Sequence, residues 1–196
     1  MTGTLDASGT TPVAASDATP VADRETLLVE LVDEQGDARG SLSVAAAHTA
    51  PGQLHRAFSV LLFDAGGRVL LQQRAAVKTR FPLLWTNTCC GHPEPGQPVL
   101  EAAAKRLHEE LGVTAELSEV GAFTYQATDP NTGRVEFEYD HVVIGRLDEA
   151  VPHPNPDEVA DTAWIRPDTL AEDVANEPAR YTPWLSGVLK VIAARG

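Results

Sequence analysis

Between Pro98 and Gly112 the chain is written as a helix, and on both sides of it as strands. Pro98 suits a first helical turn and Gly112 a C-terminal stop. Leu100, Ala104, Leu107 and Leu111 recur at helical spacing and predict a buried face, while Arg106 and Glu110, four apart, share another. Upstream, residues 55–63 and 69–74 read as strands closed into a hairpin around Asp64-Ala65-Gly66-Gly67. Residues 25–32 and 40–44 read as a strand and its return across a turn at 33–37. Downstream, strands are expected near 122–127 and 134–146, separated by a turn at 128–133. A short strand within 157–165 and a closing helix over 183–194 complete the order. There is no internal repeat. The alternation predicts an α/β (α+β) domain, a mixed β-sheet sandwiched between helices. Residues 1–24, rich in Thr, Ala, Ser, Gly and Pro, read as a disordered tail, which leaves 25–196 as one domain.

The bulk chemistry excludes several functions. A net charge of -13 opposes binding to a phosphate backbone or an anionic membrane, both of which need clustered cations. We therefore expect no nucleic-acid and no membrane partner. No apolar run is long enough to cross a bilayer, and the first residues resemble neither a secretory signal nor a transit peptide. The two cysteines are adjacent, and a bridge between neighbours is strained, so a reducing cytoplasm with a free thiol is expected.

Chemistry concentrates in three places. The first is Trp85-Thr86-Asn87-Thr88-Cys89-Cys90-Gly91-His92-Pro93, which holds both cysteines beside a histidine. Neighbouring residues of an extended segment point apart, so Cys89 is assigned to packing. Cys90 is either a metal ligand with His92 or a thiol for proton transfer or nucleophilic attack, activated by nearby positive charge. The second is Glu136-Phe137-Glu138. Strand alternation puts both carboxylates on one face, with Val135, Phe137 and Tyr139 on the other. Two close carboxylates repel unless a cation or a proton intervenes, and on their own they read as the polar outer face of an edge strand. His48, His55 and His92 add three imidazoles; with the carboxylates they suit Zn, Mn or Mg. The third place is cationic: Arg74, Lys78, Arg80, Lys105 and Arg106 read as a pocket for a phosphorylated small molecule.

In their order along the chain, His48, His55, Cys90-Gly91-His92-Pro93 preceded by Trp-Thr-Asn, Glu110-Leu111-Gly112, Tyr125, Glu136-x-Glu138 and Pro183-Trp184 resemble type I isopentenyl-diphosphate isomerases. The resemblance covers about residue 25 to the C-terminus and implies a Nudix fold. Residues 97–113 resemble a degraded Nudix box: Glu109-Glu110-Leu111-Gly112-Val113 is kept, Gln97 stands where a Glu is usual, and Lys105-Arg106 stand for Arg-Glu. Where the family offers a Lys shortly before the first histidine, this chain has Val44. The resemblance implies that His48, His55, His92, Glu136 and Glu138 hold one divalent metal, Mn2+ or Zn2+, and that Glu110 helps hold Mg2+ against the substrate diphosphate. It implies Cys90 and Glu138 as the acid/base pair with Tyr125 hydrogen-bonded beside them. Arg74, Lys78 and Arg106 would bind diphosphate, and Trp184 would line the hydrocarbon end. The implied reaction converts isopentenyl to dimethylallyl diphosphate in isoprenoid biosynthesis, by a cytoplasmic monomer or homodimer without a redox cofactor. The rival expectations are a Nudix hydrolase of diphosphates and a metal-binding module without catalysis.

Overall fold

The computed structural model describes residues 24–148 and 151–195. Of the expected tail, residues 1–23 lie outside the described residues, whereas Arg24 already belongs to the folded domain through ion pairs to Glu109 and Glu158. In chain order the elements are β1 (Leu28–Val32), β2 (Ala38–Ser43), α1 (Val44–Ala47), β3 (His55–Phe63) and β4 (Val69–Arg74). Then come β5 (Trp85–Thr86), β6 (Cys89–Gly91), α2 (Val99–Leu111), β7 (Leu117–Thr128) and β8 (Val135–Arg146). The chain closes with β9 (Val159–Ile165), α3 (Pro167–Asn176), a 3-10 turn at Pro178–Arg180 and α4 (Leu185–Ala193).

Strand β3 organises the sheet. Along one side it pairs in parallel with β8, from His55 opposite Glu138 to Phe63 opposite Arg146. Its other side is shared by β1 at the start, β6 in the middle and β4 at the end. β7 runs antiparallel to β8, and β9 antiparallel to β4. The sheet is therefore mixed and covered on two faces, as the alternation of elements implied. Phe58, Val60 and Leu62 pack with Leu107 and Leu111 of α2 on one face. Leu61 and Leu71 pack with Leu170 of α3 and Leu185 of α4 on the other. Strand alternation alone sends successive β3 residues to the two layers.

Four expectations fail. Leu100 and Ala104 are exposed; α2 buries Ala102, Ala103, Leu107, Glu110 and Leu111 instead. The inward face carries a carboxylate, so counting only apolar residues misplaced it by part of a turn. Val44 does not end β2 but opens α1, capped by Ser43, whose hydroxyl accepts from the Ala46 N–H. β8 is not an edge strand: it lies between β3 and β7, and its polar residues Glu136, Glu138 and Asp140 are the buried ones. Helix α3 was not expected, although Pro167 at its first position and Leu170–Val174 spacing are helical signals.

Candidate active site and metal centre

The five nominated ligands come from four separate segments. His48 follows α1, His55 opens β3, His92 follows β6, and Glu136 and Glu138 project from β8. Gly52 makes the turn between the first two histidines: its φ is +85°, and a Cβ there would lie 2.8 Å from Val135 Cγ1. Among the described residues these five side chains form a cluster whose donor atoms all lie within 4.8 Å of one another. Ring centroids are 4.6 Å apart for His48–His55, 5.2 Å for His48–His92 and 4.9 Å for His55–His92.

Backbone carbonyls set the tautomers of two of these rings. His48 Nδ1 lies 2.7 Å from the Val44 carbonyl and His55 Nδ1 2.7 Å from the Gln53 carbonyl. A carbonyl only accepts, so both Nδ1 atoms carry the proton, and in the neutral rings Nε2 is a lone pair. Yet His48 Nε2 sits 2.8 Å from Glu136 Oε2, and His55 Nε2 3.6 Å from Glu138 Oε1. His48 Nε2, His55 Nε2 and Glu136 Oε2 are buried with no hydrogen-bond partner. Lone pairs facing carboxylate oxygens in a dry site repel unless a cation or a proton intervenes. The donor set of three imidazoles and two carboxylates fits a divalent metal. Burial also pushes His92 down to about 4, over the opposing pull of Glu138, which keeps that ring neutral as a ligand must be. Glu136 is held well below the usual carboxylate range: burial opposes this, but His48 and Arg80 outweigh it. Arg80 is thereby explained as a partner of Glu136, at 2.9 Å, and of Glu25, at 2.8 Å, rather than as a free anion-binding cation.

Next to this cluster, Cys90, Tyr125 and Trp184 line a cleft together with His92, Glu136 and Glu138. Cys89 and Cys90 point to opposite faces of β6, Cys89 into the layer under α2 and Cys90 toward Trp184 and Tyr125. Arg74 Nη1 lies 3.7 Å from Cys90 Sγ. The expectation of a thiol activated by that charge does not hold: burial pushes Cys90 up to about 12, against the lowering effect of Arg74. That shift favours the thiol form of Cys90 over the thiolate. Tyr125 Oη donates to Glu138 Oε2 at 2.6 Å, and burial, followed by the Glu138 charge, raises its phenol well above the ordinary value. Burial and the Glu136 charge push Glu138 up, but the neighbouring His55 and His92 imidazoles outweigh them and hold it below its usual range. Trp184 is 3 % exposed; its indole N–H donates to Asn87 Oδ1 at 3.0 Å, and Phe81 packs edge-on at 5.6 Å.

At the other end of the cleft the charges are paired. Lys78 and Arg106 both reach Glu110 and Glu158, and Arg106 Nη1 donates to Glu109 at 2.7 Å. Glu110 is fully buried and depressed: Arg106 and Lys78 outweigh the opposing effect of burial, and Gln72 donates to it at 2.8 Å. Gly91 leaves room for this arrangement, since a Cβ there would lie 3.3 Å from Arg106 Cγ. Arg74 spends its guanidinium on the loop that carries Lys78 and Arg80, donating to the carbonyls of Phe81 at 3.0 Å and Arg80 at 2.9 Å. Phe81 sits at a positive φ of 47°, strained backbone that Asp129 also pins by accepting the Phe81 N–H at 2.9 Å. Val44 contributes an apolar wall, and Gln97 caps the Glu94 turn at 3.0 Å. Sequence reasoning missed Glu158, 1 % exposed. No local pattern marks it, because Lys78 and Arg106 lie 80 and 52 residues away.

Fold and site together define a Nudix-class protein: the NUDIX domain model matches residues 53–185. The solved structure of DR0079 from Deinococcus radiodurans superposes with a TM-score of 0.68 at 20% identity, covering 83% of this chain and 97% of that one. A MutT protein from Methanosarcina mazei Go1 gives 0.59 at 15% identity, over 72% of this chain and 94% of that one. These likenesses establish the fold. Sequence relatives are more specific. An isopentenyl-diphosphate Delta-isomerase of Nocardia farcinica is 66% identical over 166 residues, spanning 85% of this chain and 94% of the relative. One from Streptomyces griseus is 47% identical over 181 residues, spanning 92% and 90%. The chain belongs to the isopentenyl-diphosphate Delta-isomerase family.

Proposed function

We propose that the domain spanning residues 25–196 converts isopentenyl diphosphate to dimethylallyl diphosphate in isoprenoid precursor synthesis. The observation that carries this reading is the placement of Cys90 and the Tyr125–Glu138 pair on one cleft, with Trp184 beside them and Lys78 and Arg106 at the far end. The reaction adds a proton to the terminal CH2 and removes one from the carbon next to the diphosphate-bearing carbon. It needs two proton-transfer groups facing one carbon chain. With burial favouring its thiol form, Cys90 suits the donor, and Glu138, held below its usual range, the acceptor; in the reverse direction the roles exchange. Tyr125 orients the Glu138 carboxylate through its 2.6 Å hydrogen bond. The tertiary cation formed between the two transfers has no lone pair to stabilise it. The Trp184 face offers a cation–π interaction of about 2 kcal/mol in a dry pocket.

His48, His55, His92, Glu136 and Glu138 would hold a Mn2+ or Zn2+ ion, and Glu110 a Mg2+ ion that accompanies the diphosphate. When bound, these ions supply fixed positive charge that tunes the proton affinity of Glu138 and offsets the charge of the diphosphate. Arg74, Lys78 and Arg106 complete the anion site, Arg74 chiefly by holding its loop. Diphosphate hydrolysis is disfavoured because Arg106 stands among the carboxylates where a Nudix hydrolase would carry another acid. The reading also expects a cytoplasmic enzyme, whose reducing environment keeps Cys90 a thiol, active as a monomer or homodimer. Assay of the purified protein with isopentenyl diphosphate, Mg2+ and Mn2+ or Zn2+ tests it. Cys90→Ser and Glu138→Gln should each lower kcat by about 10²–10⁴-fold. Wild-type protein that forms no dimethylallyl diphosphate under those conditions would sink the assignment.

A further inference from the structure

The anion end of the cleft holds one cation that neither the sequence pattern nor the reading above uses. Arg24 lines the cleft on the same side as Lys78, Lys105 and Arg106. Its Nε lies 3.0 Å from Glu158 Oε1 and its Nη2 3.3 Å from Glu109 Oε2. Arg106 uses the same two carboxylates, at 2.7 Å to Glu109 and 3.3 Å to Glu158. Two guanidinium groups are thus gathered by one pair of acids at the wall of a cleft. Side by side in a partly dry setting they repel, and a planar fork that meets an oxyanion relieves that repulsion.

Arg24 adds a guanidinium to a cleft wall that already carries Arg74, Lys78, Lys105 and Arg106, inside a chain whose net charge is -13. A diphosphate monoester carries about three negative charges at neutral pH, given a second phosphate pKa near 6. The side chain of Arg24 is 16% exposed, so it is held and still reachable. Its position is fixed from the next residue as well. Glu25 accepts from Arg80 at 2.8 Å and from Thr79 at 2.9 Å, and Arg80 holds Glu136 of the metal centre. Two consecutive residues ahead of β1 therefore tie into both ends of the cleft.

We infer that Arg24 is a further diphosphate-binding residue, paired with Arg106 across Glu109 and Glu158. This rests on the isomerase reading for the identity of the substrate, though the anion site itself does not. Calorimetric titration of the full chain with inorganic pyrophosphate and Mg2+ tests the site directly. Arg24→Ala should weaken pyrophosphate binding about tenfold, with Arg24→Lys between it and wild type, because a point charge keeps attraction but loses the fork. Glu109→Gln, which removes one of the carboxylates that both guanidinium groups share, should tighten it. In the assay Arg24→Ala should raise KM for isopentenyl diphosphate about as much, with kcat within about threefold. Unchanged pyrophosphate affinity in both Arg24→Ala and Glu109→Gln, or a fall in kcat at constant KM, would overturn the inference and reduce Arg24 to a tether. If wild type binds pyrophosphate but makes no product, the isomerase reading fails while the titration still decides the role of Arg24.

Discussion

The two ends of the cleft are built on opposite electrostatic plans. At the end formed by β3, β6 and β8, acids and imidazoles face one another with buried atoms left without partners. At the end formed by α2 and the loop after β4, Lys78 and Arg106 are already matched to carboxylates. The first arrangement repels itself unless a cation or a proton intervenes. The second is complete alone and admits an anion by exchange, because Arg106 and Lys78 can turn from Glu110 and Glu158 to phosphate oxygens. The lesson is that burial decides which polar clusters are finished. Unsatisfied lone pairs in a dry site cost about 1–3 kcal/mol each, a cost that a bound cation removes.

This contrast can be broken most forcefully at the metal end. His48→Ala combined with His92→Ala should leave less than about a tenth of the wild-type metal content by elemental analysis, since removing two of five ligands costs more than 10–100-fold in affinity. Chelation of the wild type should lower its Tm, because an ion bound only to the folded state stabilises it by mass action. Metal content unchanged in the double variant would contradict the proposed ligand set.

A smaller effect is expected at the anion end. Glu158→Gln should change KM and leave metal content intact, and its coupling to Arg106→Ala in a double-mutant cycle should fall in the range of about 0.5–3 kcal/mol. No coupling would show that the two groups do not share an anion site. The adjacent cysteines sharpen the comparison further. Cys89→Ser buries a hydroxyl in the apolar layer under α2 and should cost about 1–3 kcal/mol of stability while activity persists. Cys90→Ser should do the reverse, which denaturant melts and kinetics together would show.

The smallest expected effect concerns the loop that links both ends. Asp129 accepts from the N–H groups of Phe81 and Asn131, each at 2.9 Å, and from the Thr132 hydroxyl at 3.0 Å. These bonds outweigh burial and hold its carboxyl below the ordinary value. A depressed folded pKa means that the stabilisation is present above the unfolded value and lost as pH falls through the folded one. Asp129→Asn should remove about 1 kcal/mol at neutral pH and flatten the loss of stability below about pH 4. Urea melts across that window would check it.

Much of the candidate site was legible because each nominated ligand is of a residue type that packing alone rarely requires. His48, His55, His92, Glu136 and Glu138 stood out, as did Cys90 against Cys89, since strand alternation separates neighbours. The hairpin around residues 64–67 and the closing helix were legible from turn chemistry and apolar spacing. The inward face of α2 was not, because Arg106 and Glu110 belong to it and a hydrophobic count assigns them to solvent. The bland reading of Glu136 and Glu138 failed for the same reason. A central strand is recognised by its neighbours, and β3 lies about eighty residues earlier in the chain. Glu158 and Arg24 gave no local signal at all.

The sequence by itself determined which groups could bear chemistry and the order of strands and helices that carries them. Those properties follow from side-chain pKa, turn geometry and periodicity, which act over a few residues. Only the tertiary structure decided that the polar face of β8 turns inward, that Cys90 lies beside Arg74, and that Arg24 and Arg106 share Glu109 and Glu158. Each of those depends on desolvation and on Coulomb attraction between groups distant in the chain, and neither exists until the fold excludes water from between them.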